Sequence, residues 1–323
     1  MKIFRLLLGV LLAGALVSAV AAQKFPTKPI TLVVPYPAGG NVDTSARILQ
    51  AAIGKALGVP IIVENRPGAA GFIAGDYVAR AQPDGHTLFV TSNGPLLLAP
   101  LVMPKPPYSW DSAFAPVSML TIGANVLLVR PSLPVHSVKE LVDYAKQNRD
   151  KFQVAVDTGA SINNFLSELL KQHAGIDWVA VRYRGNVPAL TDLIAGHVDA
   201  GFAQLLESIQ HIRSGQLRAL AVMVKERVPA LPDVPTMAEA GYPGVEGIIF
   251  TGVLAPKGTP PETIDILNAA IRTALAQPAV IKQFADLGAD ARSSTPAAFA
   301  EFLRVENAKW TEVAKKSNLK VSE

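Results

Sequence analysis

At 323 residues, half of them hydrophobic and 17% charged, the chain can bury a sizeable core, and its length suggests two domains more readily than one. The formal charge is only +4 and the basic residues are spread among acidic ones without a stripe or cluster, so nucleic-acid binding has no support. Cysteine is absent, which excludes a lipid-modified N-terminal Cys, a disulfide framework and a cysteine nucleophile.

Lys2 and Arg5 precede an apolar run from Leu6 to Val20 and the small residues Ala19 to Ala22. That pattern predicts a secretory signal peptide over residues 1–22, cleaved near Ala21 or Ala22, and hence export to the periplasm. The run is shorter than the roughly 20 apolar residues that span a bilayer, which disfavours a retained anchor. Its removal takes away Lys2 and Arg5 and lowers the formal charge from +4 to +2.

Ile30 to Val34 reads as a strand buried on both faces, ended by Pro35, Pro37, Gly39 and Gly40. A helix is predicted from Thr44 to Leu57, with Asp43 as its N-cap and a partner for Arg47, and with Ile48, Ala52 and Leu57 facing inward. Its first amides carry a partial positive charge suited to an anion. Strand, glycine turn and capped helix are also the ordinary unit of any α/β protein, so this turn alone does not establish a ligand site.

Val59 to Val63 is a short predicted strand, followed by a helix over about Ala70 to Ala81. Gly68, Gly71 and Gly75 lack the GxGxxG spacing of a dinucleotide loop and suggest close packing or a tight turn. Thr87 to Val90 is a strand ending in Thr91-Ser92-Asn93-Gly94, whose hydroxyls and amide suit either a ligand or a plain turn. In an open α/β sheet, strand ends such as these face the same crevice as PYPAGG. Leu98 to Pro116 reads as an irregular excursion packed by Tyr108, Trp110 and Phe114.

Val117 to Leu120 and Asn125 to Val129 are strands, with a layout that places a domain boundary between them and Ser137 capping the next helix. Phe152 to Val156 ends at Thr158-Gly159-Ala160-Ser161, where the logic of the first turn repeats: a small-residue strand end, a hydroxyl at the cap, an apolar helix. The run from Gly159 to Asn163 fails the GxSxG nucleophile elbow, which favours Ser161 as a cap or ligand donor over a nucleophile. Strands at Trp178 to Arg182, Val198 to Phe202, Leu217 to Val222 and Ile248 to Leu254, a helix at Val187 to Ala195 and C-terminal helices near 261–276, 278–287 and 296–315 complete the pattern. The proline-rich stretch before Ile248 reads as a second interdomain crossing.

The five histidines show no paired metal-ligand spacing and no phosphate loop occurs, so neither metal nor cofactor is expected. What repeats is binding machinery.

The segments PYPAGGNVDTSAR, VENRPGAAG, QPDGHTLFVTSN, YRGNVPALTDLIAGHVDAGF, LPDVPTMAEAGYPG and LAPKGTPP, in this order, resemble the Bug family of periplasmic solute receptors that serve tripartite tricarboxylate-type transporters. The resemblance covers almost the whole chain beyond the leader. It implies a two-lobed α/β fold similar to type II periplasmic binding proteins, with lobe 1 at residues 23–124 and 248–323, lobe 2 at 125–247, and two crossings. It also implies a monomer without catalytic activity that passes a small carboxylate to membrane transporter subunits.

Carried over residue by residue, the resemblance implies that Thr158, Gly159, Ala160 and Ser161 receive the carboxylate. Tyr36, Ala38, Gly39, Ser92 and Asn93 supply the first lobe's contacts, and Tyr183, Gly185 and Gln204 line the second lobe. Asn164 stands where the family commonly has His, and Arg182 where Pro is common. Both departures touch lobe 2, and Asn164 implies a ligand with a neutral polar group or a changed pH dependence, because it never titrates. Arg182 or Arg184 either meets a second carboxylate or is a solvated strand-end charge. The rival reading is an exported α/β hydrolase using Ser161 or Ser92, which requires a base beside one of those hydroxyls.

Overall fold

The computed structural model describes residues 25–157, 160–183 and 185–317. The expected leader, Thr158, Gly159 and Arg184 lie outside the described residues.

The first lobe opens with β1 (Ile30–Val34), α1 (Asn41–Leu57), β2 (Ile61–Asn65), α2 (Phe72–Ala79), β3 (Thr87–Ser92) and β4 (Phe114–Gly123). The second contains β5 (Asn125–Val129), α3 (Val138–Gln147), β6 (Gln153–Asp157), α4 (Ile162–Ala174), β7 (Val179–Tyr183), α5 (Asn186–Ala195), β8 (Ala200–Gln204), α6 (Leu205–Arg213) and β9 (Arg218–Val222). The chain then returns to the first through β10 (Ile249–Pro256), α7 (Pro261–Leu275), α8 (Pro278–Asp286), β11 (Ala289–Ala291) and α9 (Pro296–Lys316).

Two mixed sheets result, ordered β11-β4-β10-β3-β1-β2 and β7-β6-β8-β5-β9. β1 lies between two parallel neighbours, β2 and β3, as its run of five β-prone residues predicts for a strand covered on both faces. In the second sheet β6 runs parallel to both β7 and β8. The carboxyl ends of these three strands therefore gather along one edge, and α4, α5 and α6 start there.

One residue, Ala124, separates β4 of the first sheet from β5 of the second. The return crossing lies alongside: Gly123 pairs with Ile249, and Asn125 Nδ2 donates to the Gly247 carbonyl at 2.8 Å. Three apolar clusters form among the described residues. One packs α1, α7 and α8 against the first sheet and one packs α5 and α6 against the second. The third runs through both lobes, and in it Trp310 of α9 meets Phe165 of α4 edge-to-face at 5.7 Å.

Several expected boundaries are corrected. α1 begins at Asn41, three residues before Thr44, with Gly40 at the cap and Asp43 inside the first turn. The Asp43 carboxylate accepts from the Gly39 amide at 2.8 Å, so it supports the helix start from within by satisfying the amide just before the cap. The buried stripe is Val42, Ala46, Leu49 and Ile53, with Ile48, Ala52 and Leu57 only at its edge; Val42, outside the expected helix, anchors the packed face. The expected helix from Ala70 opens instead as a tight turn over Ala69–Gly71 before α2. Gly75 does serve close packing, since a Cβ there would lie 2.2 Å from Tyr108 Oη.

β4 starts at Phe114 and not at Val117, because β10 supplies a partner along its whole length and a register shift beside Leu254 accommodates Pro116. The excursion before β4 carries short helical turns at Ala99–Val102 and Trp110–Ala113. Among the described residues, α6, β11 and a helical turn at Gly94–Leu98 have no counterpart in the sequence expectations. α6 follows β8 directly, capped by Gln204 without a side-chain cap bond, so neither turn residues nor a preferred cap mark its start.

Candidate ligand-binding site

The PYPAGG turn, the end of β3 and the start of α4 converge. Tyr36 Oη and Ser92 Oγ are 2.8 Å apart, joining the turn after β1 to the end of β3. A Cβ placed on Gly94 would lie 3.0 Å from the Ala160 carbonyl and 3.2 Å from Tyr36 Oη, so any side chain there would push on the contact between the two lobes. A second bridge lies nearby, where Asn41 Nδ2 donates to Gln204 Oε1 at 3.1 Å. Turn, β3 end and both lobe 2 elements thus face one cleft.

Ser161 caps α4 as its sequence position predicts, with Oγ accepting from the Asn164 amide at 3.3 Å. Asn164 is 6% exposed, and Ala160 8%. No acidic residue occupies the first turn of α4. At α1 the Asp43 carboxylate already sits against the Gly39 amide and is held by Arg47 and Asn65. Burial pushes the Asp43 carboxyl up, but the hydrogen bonds from Arg47, the Gly39 amide and Asn65 outweigh it and hold its pKa below the ordinary value. The partial positive charge at α1 is thereby largely answered by Asp43, whereas the first turn of α4 holds no acidic residue, which makes α4 the better seat for an anion.

The remaining expected residues divide. Ala38 and Gly39 are exposed on the turn, and Gly185 is exposed at the cap of α5. Gln204 reaches the opposite lobe. Asn93 turns to the crossing: its Nδ2 donates to the Ile248 carbonyl and its Oδ1 accepts from the Phe250 amide, at 3.1 and 3.2 Å. Both ends of that side chain are spent on fixing β3 to β10. The Tyr183 hydroxyl donates to Asp192 at 2.7 Å, and burial together with that carboxylate pushes its pKa up to about 12. Arg182 is exposed on the edge strand β7.

Sequence reading passed over Asn41, Asn65, Asn163, Asn186 and Glu207. Asn65 Nδ2 reaches both the Tyr36 carbonyl at 3.0 Å and Asp43 at 2.9 Å, and so shapes the turn. Asn163 Nδ2 donates to Asn186 Oδ1 at 2.7 Å, and Asn186 Nδ2 to Glu207 Oε2 at 2.6 Å. Each stands within a few residues of a quoted strand end, and that proximity was the available signal.

Among the described residues no hydrogen bond joins either serine to a histidine. Ser161 Oγ is engaged as a cap and Ser92 Oγ by Tyr36, while three of the five histidine rings bond elsewhere: His86 to Thr27, His197 to Asp192 and His211 to Gln216. No cluster of three or more metal-ligating side chains occurs among the described residues.

Two α/β lobes joined by two crossings, with capped helix starts facing a common cleft, define a periplasmic-binding-protein-like architecture. Solved structures agree: MatC from Rhodopseudomonas palustris with bound malate has a TM-score of 0.80 at 37% identity, covering 90% of this chain and 100% of that one. A second R. palustris protein, solved with adipate, has a TM-score of 0.81 at 34% identity, covering 90% and 97%. The periplasmic binding protein BugD has a TM-score of 0.80 at 34% identity, covering 92% and 99%. By sequence, the chain is 36% identical to Protein BugT of Bordetella pertussis over 99% of its own length and 100% of that protein's.

The model of the tripartite tricarboxylate transporter family receptor matches residues 45–319. The chain belongs to this receptor family, which the Bug resemblance had indicated.

Proposed function

We propose that this chain is an exported, non-enzymatic receptor that closes its two lobes around a small carboxylate and presents it to the membrane subunits of a tripartite tricarboxylate-type transporter. The observation that carries the reading is the start of α4, where a Ser161-capped helix without an acidic residue in its first turn faces Tyr36 and Ser92 across Gly94. Malate and adipate in the related R. palustris structures support the same ligand class. The oxyanion is received by α4 and the residues before it, Thr158 to Ser161, with Tyr36, Ala38, Gly39 and Ser92 closing from lobe 1. Asn93 and Tyr183 act behind this surface, Asn93 on the crossing and Tyr183 on α5. Closure turns on the crossings at 124/125 and 247/248, and the leader is removed near Ala21 or Ala22.

A thermal-shift panel of small carboxylates and their matched amides tests this reading. An acid at about a hundred times its dissociation constant stabilises the fold by roughly 2.7 kcal/mol, and its amide does not. The acid is recovered chemically unchanged. Turnover of a bound acid that Ser161→Ala abolishes would return the hydrolase reading.

A further inference from the structure

The amide of Asn163 is the second residue of α4 and is 3% exposed. Its Nδ2 is spent on Asn186 at 2.7 Å, and Asn186 in turn donates to Glu207 at 2.6 Å. This relay joins the first turns of α4, α5 and α6, which all begin at the carboxyl ends of the parallel strands β6, β7 and β8. In such sheets that edge is where ligands sit. The relay therefore runs along the edge of lobe 2 at which these helices begin.

Its direction is not free. An ionised carboxylate only accepts hydrogen bonds, so Asn186 must turn its NH₂ toward Glu207 and its carbonyl toward Asn163. Asn163 must then present its own NH₂ to Asn186, and its Oδ1 is left facing the other way. That oxygen is shielded from solvent and has no hydrogen-bond partner among the described residues. A buried acceptor without a donor is costly, and one such atom at a binding surface calls for a donor from outside.

We propose that Asn163 Oδ1 is a specificity determinant: it accepts a hydrogen bond from an O–H or N–H group that the bound carboxylate carries near its oxyanion. The preferred substrates are hydroxy- or amino-substituted acids, in preference to the same acids without the substituent. This inference rests on the receptor reading of the α4 site and narrows its substrate class. A site built to satisfy a donor rejects an analogue lacking it, because the protein's buried acceptor then remains unpaired. The hydroxyl discriminates by about tenfold, and an ammonium by more, as hydrogen bonds to charged groups do.

Isothermal titration of the purified protein with two matched sets tests it: succinate, malate and aspartate at four carbons, and adipate, 2-hydroxyadipate and 2-aminoadipate at six. The expected result is a substituted acid bound about tenfold or more tighter than its parent, with that ratio falling toward one in Asn163→Ala while the parent's affinity is retained. Whether malate or aspartate leads identifies the donor as hydroxyl or ammonium. If Asn163→Ala binds no acid, Glu207→Gln supplies the second reading: a terminal amide can donate as well as accept, so the relay loses its fixed direction and the ratio falls at least about threefold. Equal binding of parent and substituted acids by the wild type, or a ratio unchanged in both variants, overturns the inference and leaves the carboxylate receptor standing. Binding of no panel member overturns both.

Discussion

Asn41, the first residue of α1, donates to Gln204, the last residue of β8, at 3.1 Å, and so ties the first lobe directly to the second across the cleft. Both side chains are half-buried. The bond exists only when the lobes are together, and its contribution therefore falls on closure and not on the stability of either lobe. Asn41→Ala and Gln204→Ala should each weaken ligand binding about three- to tenfold, the value of one neutral hydrogen bond. The double variant should be little worse than either single one, because the pair acts as a unit. Titration calorimetry with the acid found in the panel checks this, and additive losses would show the two residues acting separately.

Ser161 has two separable roles. Ser161→Ala removes the cap of α4 and should lower the unfolding free energy by about 1 kcal/mol, whereas Ser161→Gly, which tolerates the cap conformation, should cost only a few tenths. If the hydroxyl also reaches the ligand, Ser161→Gly loses affinity while keeping stability. Urea unfolding and ligand titration on the same two variants distinguish the roles.

Acid should unlock the first turn. Burial raises the Asp43 pKa, but the bonds from Arg47, the Gly39 amide and Asn65 together lower it by more, leaving it below the ordinary 3.8. A carboxyl depressed in the folded state contributes stability that is fully present above its unfolded pKa and is lost as pH falls through the folded value. Asp43→Asn should therefore be less stable than wild type near neutrality, with the difference shrinking from about pH 5 downward. Urea denaturation across pH 2 to 7 reads the convergence; parallel curves at all pH values would contradict it.

The crossing strand β10 has no room at Gly252. A Cβ there would lie 2.3 Å from Phe299 Cζ, and Phe299 is fully buried among Phe250 and Phe302. Gly252→Ala should cost about 1–3 kcal/mol through overpacking. Combining it with Phe299→Leu, which vacates the ring, should restore part of the loss, and a strictly additive double variant would refute the contact as the cause.

How much of this was legible beforehand follows the periodicity. β1 announced itself as a run of β-prone residues, and Ser161 as a cap, because each depends on neighbours in the chain. Asp43 was read as a cap and lies three residues inside α1, since a carboxylate that reaches back to Gly39 carries the same residue preference as one that caps directly. α6 was missed because Gln204 gives no capping signal, and β11 because three residues paired to β4 have no pattern of their own. The cleft was visible only as a set of turns. Its bridges, Asn41 to Gln204 and Asn163 through Asn186 to Glu207, join residues 163, 23 and 21 positions apart, and no local pattern encodes such pairings.

The single residue between β4 and β5 has a mechanical consequence. On either side of Ala124 the backbone is already committed: Gly123 pairs with Ile249, the Ala124 carbonyl accepts from Leu205 at 2.9 Å, and the Asn125 carbonyl accepts from Met223 at 2.8 Å. A joint hydrogen-bonded this close to its pivot has no slack to uncoil. The lobes must part by twisting a continuous ribbon, in which small dihedral changes are shared over several residues of both strands. Amide protons at the pivot should then exchange as slowly as those of the sheet interiors, in open and closed forms alike, so that the part of the molecule that moves is also among its best protected.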